Sequence, residues 1–384
     1  EEQRSQAAEI AYDLLLTQSN IMFTSTLARG CVSMRVCARE RSQPSSAHRS
    51  NVGLHSHPAR RSTRTAHETR CSASAGVLGG MMDKLAAANA EMLARKEEKE
   101  LVGKKTGGVQ PLRSFPAEVV NAKAQIAHKV LQHMGCTCVT EALTSATARK
   151  LLQFINEESE RAKADVTNGR VPFDDRFGGV NCRGMNGMFG NRQDMFLPVS
   201  EPIVKEALQE VCERLGPFLR EALGSEAMVH EVSCLVADPG SPRQCIHADT
   251  IHMPCPQYPA VSVEPLYTFF IALQDVEEGM GHTVFLPQTH TAEAHLLWNS
   301  AQRQKERFIE SSAAVQSALK EGHTAIFDSR LLHCGCANTS QKRRVLFYFT
   351  ASRMQQWPLP NGLHGSNSRR REDEWQWQLR DFGL

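Results

Sequence analysis

Past Gly224 the periodicity of the chain changes, and no other feature restricts its fold so strongly. Five short runs rich in β-branched and aromatic residues follow one another up to about residue 351: "MVHEVSCLVAD", "LYTFFIALQDV", "TVFLP", "TAIFDS" and "RRVLFYFTA". Ahead of them the patterning is helical. "AEVVNAKAQIAHKVLQHM" ends at a stop signal, Gly135, and "CTCVTEAL" reads as a short strand. Thr144 or Ser145 is placed to cap "ATARKLLQFINEESERAKA", and "SEPIVKEALQEVCERLGPFLREALG" supplies one or two amphipathic helices. Helices followed by many short strands predict an α+β protein built on a sandwich or small barrel. The Gly- and Asn-rich stretch 168–190 predicts a long binding loop or lid.

The region before this body has a different composition. Between Met22 and Met82 stand nine Arg, no Lys and two acids, a local charge of +7 in a chain whose net charge is +2. With ten Ser and five Thr over 22–80 and no apolar periodicity, residues 1–80 predict a disordered basic segment, a targeting peptide for plastid or mitochondrion. Met22 is a candidate start. Residues 81–115 read as a helix ("DKLAAANAEMLARKEEKEL") and a linker, and the folded domain as 116–384. The rest of the chain carries −5, and a basic arm on a slightly acidic body gives poor support for nucleic-acid binding by the folded part. No apolar run approaches the ~20 residues of a membrane-spanning helix. The twelve Cys form no C-x-x-C pair, which leaves them as reduced, mostly buried small residues.

The chemistry gathers in the β-rich half. In "QCIHADT", His247 and Asp249 stand two apart, and on a strand residues i and i+2 share a face. An imidazole and a carboxylate so placed are two of the three ligands of a facial triad for Fe(II). With 15 His in the chain such a pair also arises by chance. The best third ligand is His333, between "TAIFDS" and a turn-rich "CGCANTSQK"; His252, His282, His290 and His323 read as loop or surface residues. Eleven residues on, "RRVLFYFT" alternates, with Arg343, Val345, Phe347 and Phe349 on one face and Arg344, Leu346, Tyr348 and Thr350 on the other. The second face suits a polar cavity. A guanidinium buried there needs an anion, either a ligand carboxylate or a protein Asp or Glu.

"HADT", "ALQDVEEGMGHTVFLPQTH" at 272–290 and "DSRLLHCGCANTSQKRRVL" at 328–346 together resemble the phytanoyl-CoA dioxygenase (PhyH-like) family of Fe(II)/2-oxoglutarate oxygenases. The likeness spans roughly 135–352. It implies a double-stranded β-helix (jelly-roll) core with flanking N-terminal helices. It also implies His247, Asp249 and His333 as metal ligands and Arg344 on the distal carboxylate of 2-oxoglutarate. Phe270 falls where the founding member has an aromatic residue beside the cosubstrate, and Thr283 lies in the strand of the "LPQTH" block. Two departures stand out: "QTH" replaces the usual Gly-containing turn, and His282 stands where Pro is frequent. The implied reaction consumes 2-oxoglutarate and O2, hydroxylates a small-molecule or lipid-like substrate, and releases succinate and CO2. Two other functions compete with it, a cupin-like metalloenzyme needing no 2-oxoglutarate and a non-catalytic binding protein of the same family. The substrate and the oligomeric state are not legible.

Overall fold

The computed structural model describes residues 109–178, 189–252, 264–353 and 377–384. The basic segment 1–80, the helix expected after Met82 and most of its linker lie outside the described residues. So do 179–188, within the loop expected at 168–190, and 253–263.

Strands β1 (Gln110–Pro111) and β2 (Ser114–Pro116) lead into helices α1 (Ala117–Ala122) and α2 (Ala124–Met134), then β3 (Cys136–Thr140) and α3 (Ser145–Thr167). Next come β4 (Arg192–Phe196), α4 (Pro202–Arg214), α5 (Gly216–Ala222), β5 (Met228–Ala237) and β6 (Tyr267–Ala272). The chain continues through β7 (Thr283–Phe285), α6 (Ala292–Trp298), α7 (Gln302–Ser311), β8 (Val315–Gln316), β9 (Thr324–Asp328), β10 (His333–Gly335) and β11 (Arg344–Ser352). A mixed fold of two sheets and several helices results. One sheet has seven strands in the order β2-β3-β9-β6-β11-β5-β4, the other four in the order β1-β8-β7-β10.

Local chemistry sets the ends of these elements. Thr144 caps α3, its hydroxyl accepting from the Thr147 amide at 3.3 Å. Gly135 closes α2 in the left-handed region (φ 77°), and a Cβ there would come within 2.5 Å of the His290 ring. Both facts require glycine.

β11 is central, paired antiparallel with β5 on one side and β6 on the other, and all nine of its residues are buried. Phe349 on one face stacks on Phe269, with ring centroids 4.5 Å apart. On the other face Leu346 and Tyr348 join Phe270 and Phe327, also of the large sheet, and Phe285 of the small sheet in one core cluster. The two sheets therefore face each other. Each fully buried Phe in that layer contributes about 1.5–3 kcal/mol through area removed from water. Burial pushes the Cys136 and Cys138 thiols up to about 12, in keeping with cysteines that act as small core residues. The C-terminal residues fold back: the Val229 amide donates to the Trp377 carbonyl, and Leu379 and Phe382 are buried.

Three expectations need correction. The domain border at 116 falls too late, because β1 pairs with β8 and β2 with β3, so residues 110–116 belong to the body and not to a linker. Helices and strands are not segregated either, since β3 and β4 enter the large sheet from among the early helices. Finally, α6 and α7 interrupt the β-rich half. In α7 only Ile309 is buried, so it carries no apolar stripe by which the sequence announces a helix.

Candidate metal centre and its cavity

Between the sheets lies a cavity lined by His247, Asp249, His333, Arg344, Phe270 and Thr283. All six residues singled out in the sequence meet in it.

His333 opens β10, and its backbone exchanges two hydrogen bonds with His247, at 2.8 and 2.9 Å. The segment carrying His247 is not the regular strand expected. The Gln244 amide donates to the Gly335 carbonyl, so the four residues 244–247 oppose only the three of β10. The extra residue makes a bulge, and His247 keeps a ladder position as an isolated bridge. The bulge also breaks the alternation that would have turned Cys245 inward. Gln244 lines the cavity instead, and the Cys245 carbonyl turns to the His247 ring.

That carbonyl matters for the chemistry. His247 Nδ1 lies 2.8 Å from the Cys245 carbonyl oxygen and His333 Nδ1 2.9 Å from that of Leu331. A carbonyl only accepts, so each ring holds its proton on Nδ1 and presents a bare Nε2 lone pair. Those two Nε2 atoms stand 3.6 and 3.7 Å from Asp249 Oδ1. The three donor atoms lie within 4.8 Å of one another, the one such cluster among the described residues. Burial holds the His333 pKa down to about 4 against the opposing pull of Asp249, so the ring is neutral and ready to ligate at neutral pH. Two imidazoles and one carboxylate fit a divalent iron with further coordination positions left over.

Arg344 is 1% exposed. Its Nη1 donates to the Gly281 carbonyl and its Nε has no partner. Among the described residues no carboxylate lies within ion-pair distance of it. Burial and the adjacent Arg192 guanidinium hold its pKa down to about 9, which still leaves it charged at neutral pH. Of the two partners open in the sequence, a protein acid is thus not the one found. The Phe270 ring packs edge-on against Phe327 at 4.9 Å and Tyr348 at 5.5 Å, and Thr283 is buried on β7 opposite Gly335.

The other histidines stay out of the cluster. Nε2 of His290 bonds the Gln132 carbonyl, that of His282 the Val276 carbonyl and that of His295 the Arg330 carbonyl, all structural contacts. Sequence reasoning missed two acids of the cavity, Asp194 on β4 and Glu231 on β5, which both meet the Tyr348 hydroxyl. A single acid in an apolar alternating strand, Glu231 in "MVHEVSCLVAD", was the available signal.

No curated protein matches the chain by sequence. Among solved structures, the non-heme alpha ketoglutarate dependent epimerase SnoN from nogalamycin biosynthesis is 15% identical, covering 60% of this chain and 82% of that one at a TM-score of 0.41. The carbocyclase SnoK of the same biosynthesis is 16% identical, covering 64% and 87% at 0.41. AviO1 from Streptomyces viridochromogenes Tue57 is 16% identical, covering 61% and 96% at 0.42. Likeness at that level carries no argument about activity. The family model described as Phytanoyl-CoA dioxygenase (PhyH) matches residues 131–346, more than half of the chain and the whole of the cavity's metal cluster and arginine, and the chain belongs to that family.

Proposed function

We propose that this protein is an Fe(II)/2-oxoglutarate-dependent dioxygenase that hydroxylates a small-molecule or lipid-like substrate. In this reading the two facing sheets are those of a double-stranded β-helix. The observation that carries it is the pairing, in one cavity, of a His-Asp-His cluster with a buried arginine that has no protein carboxylate.

Fe(II), 2-oxoglutarate and O2 together supply the oxidation that puts one oxygen atom into a C–H bond and leaves succinate and CO2. His247, Asp249 and His333 would hold the iron. The carbonyls of Cys245 and Leu331 fix the two rings in the ligating tautomer before any ion arrives. Arg344 would bind the distal carboxylate of 2-oxoglutarate, for which its unpartnered Nε offers a donor. Phe270 and Thr283 would flank the same cosubstrate, and the buried strands around them exclude water. A cupin-like enzyme without 2-oxoglutarate would need the cluster but not Arg344. A non-catalytic binding protein would need neither. The basic segment 1–80 we read as a targeting peptide for plastid or mitochondrion.

Succinate formed from 2-oxoglutarate under air, with and without Fe(II), tests the assignment. Iron-dependent succinate that vanishes in Asp249→Ala is expected. Iron-dependent turnover of another substrate with no use of 2-oxoglutarate would favour the cupin-like reading. Succinate at background in every condition would sink the oxygenase.

A further inference from the structure

The cavity has two chemically different ends. Arg344 and Thr350 are six residues apart on the same face of β11, roughly 20 Å at ~3.3 Å per residue. Thr350 stands opposite Thr268 of β6, and Thr268 opposite Phe327 of β9, in one cross-strand row. Two contacts tie the metal cluster to this row. The His333 ring rests on Phe327, with centroids 4.9 Å apart, and the Thr250 amide, next to Asp249, donates to the Ser329 carbonyl at 3.0 Å. With the cosubstrate carboxylate at Arg344, the Thr350 end is left to the substrate.

Three hydroxyl residues line that end, Thr268, Ser329 and Thr350, and all three are buried. Thr268 Oγ1 and Ser329 Oγ are 2.9 Å apart, so one of them donates to the other. That bond occupies one of three hydroxyl protons. Neither side chain makes a second hydrogen bond among the described residues. The Thr350 hydroxyl, on a residue 4% exposed, has no hydrogen-bond partner there at all. Two hydroxyl protons therefore face the cavity region without a protein acceptor. A buried hydroxyl without a partner points to a ligand that supplies one.

We infer that Thr268, Ser329 and Thr350 form a substrate subsite that selects a neutral oxygen, a carbonyl or hydroxyl group, and holds it beside the metal cluster. This rests on the oxygenase reading above. One carbonyl oxygen has two lone pairs and can accept both spare protons. An ammonium brings donors alone and leaves those protons unmet. A carboxylate accepts them but carries a charge that hydroxyls do not neutralise, and burying an ion costs far more than burying a neutral oxygen. Thr350 is the specificity-determining residue of the three, because its hydroxyl gains its partner from the ligand. Arg344 serves the cosubstrate at the other end.

The test uses wild-type protein, Thr350→Val and Thr350→Ser, each loaded anaerobically with Fe(II) and 2-oxoglutarate, and follows the visible charge-transfer absorption of that complex. The probes are 2-hexanone, hexylamine and hexanoate, which differ in the polar group on one carbon frame. In the wild type 2-hexanone perturbs the band at concentrations about tenfold below those of the other two. In Thr350→Val, which keeps the side-chain volume, the band still forms and this preference falls to about threefold or less. Thr350→Ser, which returns a hydroxyl, restores it. Melting of the metal-free proteins checks the same residue without the cofactor: Thr350→Val melts at or above the wild type, because it removes a buried hydroxyl that has no partner. Equal or tighter binding of hexylamine or hexanoate overturns the subsite, as does no response to any probe. So does a preference unchanged in Thr350→Val or not restored in Thr350→Ser, or a Thr350→Val protein that melts several degrees lower. A wild-type protein that forms no band overturns the oxygenase reading itself, whereas a band without the ketone preference overturns the subsite alone.

Discussion

Replacing Arg344 with Met should make the ligand-free protein more stable and at the same time abolish its affinity for 2-oxoglutarate. The guanidinium is fully buried, and burial together with the nearby Arg192 holds its pKa far below the ordinary arginine value, at about 9. That depression corresponds to roughly 5 kcal/mol against the charged form in the folded state. Met keeps most of the apolar stem but strands the Gly281 carbonyl that Arg344 now satisfies, at about 1–3 kcal/mol. A net gain on the order of 2–4 kcal/mol remains, and in a domain of this size each kcal/mol moves Tm by about 2–4 °C. The pH must be chosen with care. Above about 9 the folded protein loses a proton that the unfolded chain still holds, so this group's cost is relieved as pH rises past that value. Below 9 the cost is present in full, and the comparison belongs near pH 7. For binding, losing two charge-assisted hydrogen bonds at about 1.5–3 kcal/mol each weakens 2-oxoglutarate by at least about 100-fold. Melting curves of metal-loaded protein, with and without 2-oxoglutarate, measure both effects. The wild type should melt lower when ligand-free and respond to 2-oxoglutarate, and the variant should melt higher and not respond. A variant that melts several degrees below the ligand-free wild type would refute the reasoning, because it would mean that the guanidinium has a protein acid as its partner.

Two further outcomes follow from the same cavity. Gly281→Ala is expected to lower the urea midpoint, by about 1–3 kcal/mol in free energy, and to raise the KM for 2-oxoglutarate. The residue has φ +82°, an added Cβ would meet the Cys336 carbonyl oxygen at 2.7 Å and Ala337 backbone at 3.3 Å, and its own carbonyl holds Arg344. Asp194→Asn is expected to flatten the pH dependence of stability of the metal-free protein. With a folded-state pKa of about 7 against 3.8, Asp194 keeps a proton that the unfolded chain releases, so wild-type stability declines as pH rises through that range. The variant should gain up to about 4 kcal/mol on the wild type between urea midpoints at pH 4 and pH 8. An unchanged difference between the two pH values would show that Asp194 is ionised in the fold.

What the sequence disclosed about this cavity follows from the range of the interactions involved. Strand alternation is a local property, so the inward face of β11 could be read directly, and Arg344, Tyr348 and Thr350 all line the cavity as the parity of "RRVLFYFT" requires. His333 was legible for a similar reason, since it sits just after one strong strand and before a turn. The bulge at Cys245 was not, because an extra residue is defined only against a partner strand, and β10 lies some ninety residues further on. Nor was the acid pair. Asp194 and Glu231 come from different strands and acquire meaning only through the Tyr348 hydroxyl between them, a contact 154 residues long on one side and 117 on the other. The two missed helices were silent for a different reason, since α7 buries only Ile309 and α6 is just seven residues long. The consequence for function is specific. The family's motifs are short, so they disclose the His-Asp-His cluster and the buried arginine, which a strand pattern can encode. The two acids, by contrast, are brought to one hydroxyl from strands that share no motif, so no short pattern such as "HADT" can disclose them.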